Sequence, residues 1–214
     1  MTPRLLILSG PSGGGKTTIA RLLERARDDV GFSVSATTRA PRANEREGVD
    51  YYFFGRETFE RRRAEGAFLE WAEYAGQLYG TLEGEVERLF AMGSHVLLDI
   101  EVQGAEQVRR ARADAIAVFV IPPSADALLE RLTGRRTETP DQVARRVQQA
   151  DRELAEADTY DWIVVNDRLD RAVRAVAGIL DGEPGAAPTP DREAARITDM
   201  RLALEVWLRQ HRND

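Results

Sequence analysis

The sequence predicts an α/β fold: a parallel sheet flanked by helices, with a small inserted lobe and a helical lid. Three observations predict it. Four short apolar runs, at 4–9, 95–100, 115–121 and 161–165, show no polar alternation, as expected of strands buried on both faces. Helical patterns separate and follow them, at 17–29, 83–92, 105–112, 124–132, 140–157 and 169–180. Alternation of this kind winds a parallel sheet. Two polar regions, 32–81 and 133–139, break the rhythm and mark the insertions.

Each element has a local reason. Run 4–9 (RLLILS) ends at Gly10, and helix 17–29 carries Ile19, Leu22, Leu23 and Ala26 at helical spacing. Run 115–121 is closed by Pro122 and Pro123, and run 161–165 by Asn166 and Asp167. Region 32–81 is rich in Thr, Arg, Tyr, Phe and Gly, with strand-like pieces at 32–35 and 51–54. Segment 133–139 (TGRRTET) reads as a lid tip. The helix after it has Thr139 as N-cap, Pro140 in its first turn and Gln142 to complete a capping box. Residues 182–190 (GEPGAAPTP) read as a linker. Beyond them Ile197, Met200, Leu204, Trp207 and Leu208 form one apolar stripe, which either docks on its own domain or meets a second subunit in a homo-oligomer.

Composition excludes some functions. The net charge of −6 argues against general nucleic-acid binding. No apolar stretch reaches the length of a membrane span, and the first apolar run is too short for an export signal, so the expected partners include no membrane and the expected location is the cytoplasm. The absence of cysteine excludes disulfides and cysteine–zinc sites.

The strongest motif is Gly10-Pro11-Ser12-Gly13-Gly14-Gly15-Lys16-Thr17, followed by Thr18, between a predicted strand and a predicted helix. It matches the phosphate-binding loop, in which curled backbone turns its N–H groups onto phosphate oxygens and the helix start adds a positive dipole end. Lys16 is the only lysine in the chain; every other basic side chain apart from histidine is arginine. A compact ammonium fits such a loop where a planar guanidinium does not. Lys16 would reach the β- and γ-phosphates of ATP, and the Thr17 hydroxyl would ligate Mg²⁺. Asp99, ending a buried run, either holds that metal through water or orders neighbouring arginines.

The inserted lobe has the chemistry of a second phosphate site. Arg39 and Arg42, stiffened by Pro41, can converge on one phosphate through paired charge-assisted hydrogen bonds. Tyr51 and Tyr79 can donate hydroxyls to it. Glu70 stands between Leu69 and Trp71, where an unpaired carboxylate is costly. It is either the partner of a guanine edge, which offers two adjacent donors, or half of a structural salt bridge.

Taken in order, GPSGGGKTT, GFSVSATTRAPR, DYYF, FLEWAEY, LYGT, LLDIEVQG, GRRTE and IVVND resemble the guanylate kinase family from about residue 5 to residue 180. The resemblance implies a P-loop core over 1–31, 82–121 and 158–182, a GMP-binding lobe over 32–81 and a lid over 122–157, together a domain of residues 1–182. A linker (183–190) and a C-terminal amphipathic helix (191–214) follow. It implies ATP and GMP as substrates, dGMP as a further acceptor, and Mg²⁺ with the ATP. By resemblance Arg39, Arg42, Tyr51 and Tyr79 bind the GMP phosphate. Ser35, Glu70 and Thr81 read the guanine, with Asp99 and Glu101 on the same substrate. Lys16, Arg42, Arg135 and Arg146 act on the transferring group, helped by Arg131, and Asn166 lies near the adenine. Thr81 and Glu101 stand where Ser and Asp are commoner, and Arg136 beside Arg135 leaves open which of the two enters the site. The tail beyond Glu183 has no counterpart in the resemblance.

Overall fold

Five strands without a polar face have to stack side by side between helices, and they do. The computed structural model describes residues 2–74, 76–134 and 139–211. In chain order the elements are β1 (Leu5–Ser9), α1 (Lys16–Ala26), β2 (Val30–Phe32), β3 (Ala36–Thr37), β4 (Tyr52–Phe53), α2 (Arg56–Ala64), β5 (Phe68–Tyr74), β6 (Gln77–Leu82) and α3 (Glu83–Ala91). There follow β7 (His95–Asp99), α4 (Val102–Ala111), β8 (Ile116–Ile121), α5 (Ala125–Thr133), α6 (Pro140–Ala155), a 3₁₀ turn (Ala157–Thr159), β9 (Trp162–Val165), α7 (Leu169–Asp181) and α8 (Pro190–Gln210).

The main sheet has the order β2-β7-β1-β8-β9. β2 pairs parallel with β7, and β8 parallel with β9. The four expected strands are all present. The fifth, β2, has only three residues, too few to stand out as an apolar run. It takes Phe32 into the main sheet, so of the strand-like piece at 32–35 only Phe32 is strand.

The chain divides into two compact units: residues 1–7 with 24–116, and residues 8–23 with 117–214. The first holds a second sheet, of order β4-β3-β6-β5. Its small core is Ala36, Phe59 and Leu78. Phe59 stacks on Phe68 at 4.3 Å between ring centroids. Burying a phenylalanine contributes about 2–3 kcal/mol, and this one holds α2 in place. Phe59 is the only buried side chain of α2, so the helix has no apolar stripe for a sequence reading to find.

In the second unit the capping box of α6 forms as expected. The Thr139 hydroxyl accepts from the Gln142 N–H, and the Gln142 side chain accepts from the Thr139 N–H. Thr133 belongs to α5 rather than to the lid tip, while residues 135–138, with Arg135 and Arg136, lie outside the described residues. Gly182 ends α7 in the left-handed conformation, φ +75°, and the linker then runs beside β9, where the Ile163 N–H donates to the Pro188 carbonyl at 2.9 Å. α8 buries Ile197, Met200 and Leu204, packing along α6 and against α5. Arg201 donates to Asp151 of α6 at 2.9 Å. This part of the tail stripe therefore docks on its own chain; Trp207 and Leu208 are half-buried. Among the described residues no helix is long and apolar enough to cross a membrane.

Candidate active site

The loop after β1 is shaped by its glycines. Gly10, Gly13 and Gly15 have φ of +130°, +86° and +95°, a region that side chains with a Cβ rarely enter. Space is equally restrictive. A Cβ on Gly10 would lie 2.3 Å from the Val120 carbonyl oxygen, and one on Gly15 2.3 Å from Asn166 Nδ2. The loop closes on itself through Gly14 N–H to the Pro11 carbonyl at 2.9 Å. Lys16 opens α1 and is only 8% exposed; its ammonium donates to the Gly10 carbonyl at 2.7 Å, with Pro11 O at 3.5 Å. Among the described residues this buried cation is held by carbonyls, which leaves it donor capacity for phosphate. Thr17 and Thr18 are exposed in the first turn of the helix.

Arginines of α5 and α6 reach the same loop. Arg131 donates to the Gly13 carbonyl at 2.9 Å. Arg146 donates to the Leu132 carbonyl at 2.8 Å and reaches the Ser12 hydroxyl at 3.5 Å. Asn166, buried at the end of β9, donates to the Gly14 carbonyl at 2.9 Å and so braces the loop. That contact adds to the nucleotide role expected of Asn166.

In the first unit the arginine–tyrosine group assembles. Arg39 makes a two-point bridge to Glu45, both bonds 2.9 Å, and donates to the Ala40 carbonyl at 2.8 Å. Its guanidinium lies 5.3 Å from the centre of the Tyr51 ring, and Tyr51 meets Tyr79 edge-on at 6.1 Å. Glu45 also accepts from the Arg42 main-chain N–H at 2.8 Å, with the Arg42 guanidinium 3.7 Å away and its side chain 68% exposed. The Arg39 bridge holds the Glu45 carboxyl below the usual carboxylate range. Burial, then the nearby Asp99, raise the Tyr51 hydroxyl, which stays a neutral donor. Ser35 is half-buried, and its carbonyl accepts from the Tyr52 N–H at 2.9 Å. Nothing in the sequence singles out Glu45; an acid three residues after Arg42 looks like any solvated charge.

Glu70 and Thr81 are brought into direct contact. A register shift between Phe68 and Glu70 leaves Leu69 as an extra residue and sets Glu70 opposite Thr81. The Thr81 hydroxyl donates to Glu70 Oε1 at 2.7 Å. Glu70 is 5% exposed, and burial pushes its carboxyl up to about 7, against the pull of the Thr81 donors; Glu101 pushes the same way. Among the described residues no cation pairs with it, so the salt-bridge alternative is not what the structure shows. Gly104 of α4 lies so close that a Cβ there would sit 2.3 Å from Glu70 Oε2. A glycine inside a helix is a costly choice that could have flagged this position.

A phosphate loop held by arginines in one unit, and an arginine–tyrosine group together with a buried carboxylate in the other, are the parts of a phosphotransferase of the nucleoside monophosphate kinase class. Comparison with known proteins narrows this. The guanylate kinase family model matches residues 2–183. A guanylate kinase of Rubrobacter xylanophilus is 52% identical over 177 residues, covering 83% of this chain and 93% of its own. One of Thermus thermophilus is 47% identical over 211 residues, covering 98% and 90%. The crystal structure of guanylate kinase from Anaplasma phagocytophilum superposes with a TM-score of 0.70 at 30% identity, covering 90% and 93%. The chain belongs to the guanylate kinase family. The Thermus match runs into the tail, for which the motif resemblance offers no counterpart.

Proposed function

We infer that the two clusters divide one reaction between them. Membership of the guanylate kinase family makes that reaction the ATP-dependent phosphorylation of GMP, giving ADP and GDP. One observation carries the assignment of the acceptor site: a buried carboxylate, held by a hydroxyl rather than by a cation, in the same unit as the arginine–tyrosine group. Guanine presents N1–H and a 2-amino group side by side, and these match two carboxylate oxygens. Adenine has no such pair at that edge. Thr81 and Glu101 complete the base site, and Ser35 and Asp99 flank the bound nucleotide.

Arg39, Arg42, Tyr51 and Tyr79 hold the GMP phosphate. Glu45 orients Arg39 by bridging both of its terminal nitrogens. Arg39→Lys is expected to raise KM for GMP about thirtyfold with kcat within a few-fold, because an ammonium keeps the charge and loses the fork. Steady-state kinetics at saturating ATP checks this, and an unchanged KM removes Arg39 from the phosphate site.

A GMP phosphate oxygen attacks the γ-phosphorus and the bond to the β–γ bridging oxygen breaks. The second ionisation of a phosphate monoester lies at about pH 6, so the nucleophile is already a dianion and needs no general base. The histidines fit this: His95 is buried, its Nδ1 accepting from the Arg4 N–H, and His211 stacks on Trp207 in the tail. Catalysis then rests on position and charge, supplied by Lys16, Arg42 and the lid arginines. Thr17, exposed at the start of α1, would offer its hydroxyl to a magnesium ion brought in with ATP, and that ion would offset charge on the phosphates.

Arg146→Ala is expected to lower kcat about 100-fold while KM for GMP moves less than about threefold. Unchanged turnover would remove Arg146 from the transferring group. The reaction itself is tested by coupled detection of ADP with Mg–ATP and each of GMP, dGMP, AMP, CMP and UMP. ADP formation confined to GMP and dGMP is expected; formation with another monophosphate would overturn the base assignment.

A further inference from the structure

We propose that Gln107, with Gly104 on the same face of α4, is the positioning device that sets Glu70 for reading guanine. The inference rests on Glu70 being the base-reading carboxylate. β5 lies at the edge of its sheet, so the outward main-chain groups of Trp71 have no strand to meet. The Gln107 side chain meets both. The Trp71 N–H donates to Gln107 Oε1 at 3.3 Å, and Gln107 Nε2 donates to the Trp71 carbonyl at 2.8 Å. One side-chain amide thus does the work of a neighbouring strand at the residue after Glu70.

The pin sits where it is needed. The extra residue Leu69 disrupts the β5–β6 ladder just before Glu70, so pairing with β6 alone fixes this register poorly. Gly104, three residues before Gln107, lets α4 approach until only a missing Cβ separates it from Glu70 Oε2. Glu101, a further three residues back, is close enough to oppose ionisation of Glu70. Residues spaced by three share a helix face. This face of α4 therefore holds the strand at Trp71 and bounds the carboxylate at Glu70. Gln107 touches main chain only; it acts through Glu70.

The test compares GMP with IMP, whose base keeps N1–H and lacks the 2-amino group, in the full chain at saturating Mg–ATP. Gln107→Leu is expected to cut the GMP-to-IMP ratio of kcat/KM about tenfold, through KM for GMP, with KM for ATP unchanged. Gly104→Ala should shift the ratio the same way, and Gln107→Glu, which keeps the acceptor for the Trp71 N–H, should recover part of it. A general loss of folded protein lowers both substrates together and leaves the ratio alone. Glu70→Gln is run alongside. Loss of the ratio in Glu70→Gln with none in Gln107→Leu overturns the positioning role alone. An unchanged ratio in Glu70→Gln overturns the base reading and this inference with it. Should Gln107→Leu not fold, an unchanged ratio in Gly104→Ala decides against the proposal.

Discussion

Lys16→Ala is expected to lower kcat about 1,000-fold while GMP still binds with near-normal affinity. Lys16 is buried, and its ammonium is anchored at 2.7 Å to the Gly10 carbonyl, so in the proposed reaction it would start in place. Fixed charge in a water-poor site stabilises a transferring phosphoryl group without reorganising, and single groups of this kind are worth about 100- to 1,000-fold or somewhat more. Arg39, Tyr51, Glu70 and Tyr79 belong to the other compact unit. Lys16→Arg is expected to be nearly as damaging as Lys16→Ala, because a planar guanidinium does not fit among the carbonyls of Gly10 and Pro11. Steady-state kinetics with calorimetric GMP titration checks both. A kcat within tenfold of the parent in either variant would contradict the role given to the loop.

The second large effect is at Glu70. Glu70→Gln should lower kcat/KM for GMP about 100-fold, since one amide face then opposes a guanine donor and leaves it unpaired. The parent should also show a pH dependence that the variant lacks. In the proposed base site only the ionised carboxylate would accept from both guanine donors, and burial has pushed the carboxyl up to about 7. KM for GMP should therefore rise about tenfold per pH unit below about 7 and level off above it, with a further break near 6 from the GMP phosphate in both proteins.

The stability of the free enzyme runs the opposite way. The folded chain holds the Glu70 proton more tightly than the unfolded one, whose pKa is near the ordinary 4.5. The resulting stabilisation is complete below 4.5 and is lost as pH rises through about 7. The difference is on the order of 3 kcal/mol. Glu70→Gln removes the titrating group, so it should melt several degrees higher than the parent at pH 8 and much less so near pH 4.5. Melting curves that differ equally at both pH values would show that burial of the carboxylate is not the cause.

The parts legible in the sequence were those with a local cause. The four longer strands are apolar throughout, so each is buried wherever it lands. The α6 capping box is written within four residues and forms as written. The phosphate loop needs glycines and one lysine in fixed order, and the chain's only lysine stands there. β2 and α2 do not show in the sequence because a three-residue strand and a helix with one buried side chain carry too little pattern. The tail stripe was legible as a stripe, but its target was not.

What the sequence determined by itself is therefore the phosphate loop, the wound sheet and the stock of arginines and acids, each set by spacing along the chain. What only the tertiary structure decided is which of those groups act together. Glu70 faces Thr81 because of a bulge that no periodicity announces. Glu45, rather than another acid, holds Arg39. Gly104 and Gln107 matter because α4 comes back against β5 from more than thirty residues away. Contacts between residues so far apart depend on how whole elements pack, and packing is a property of the folded chain.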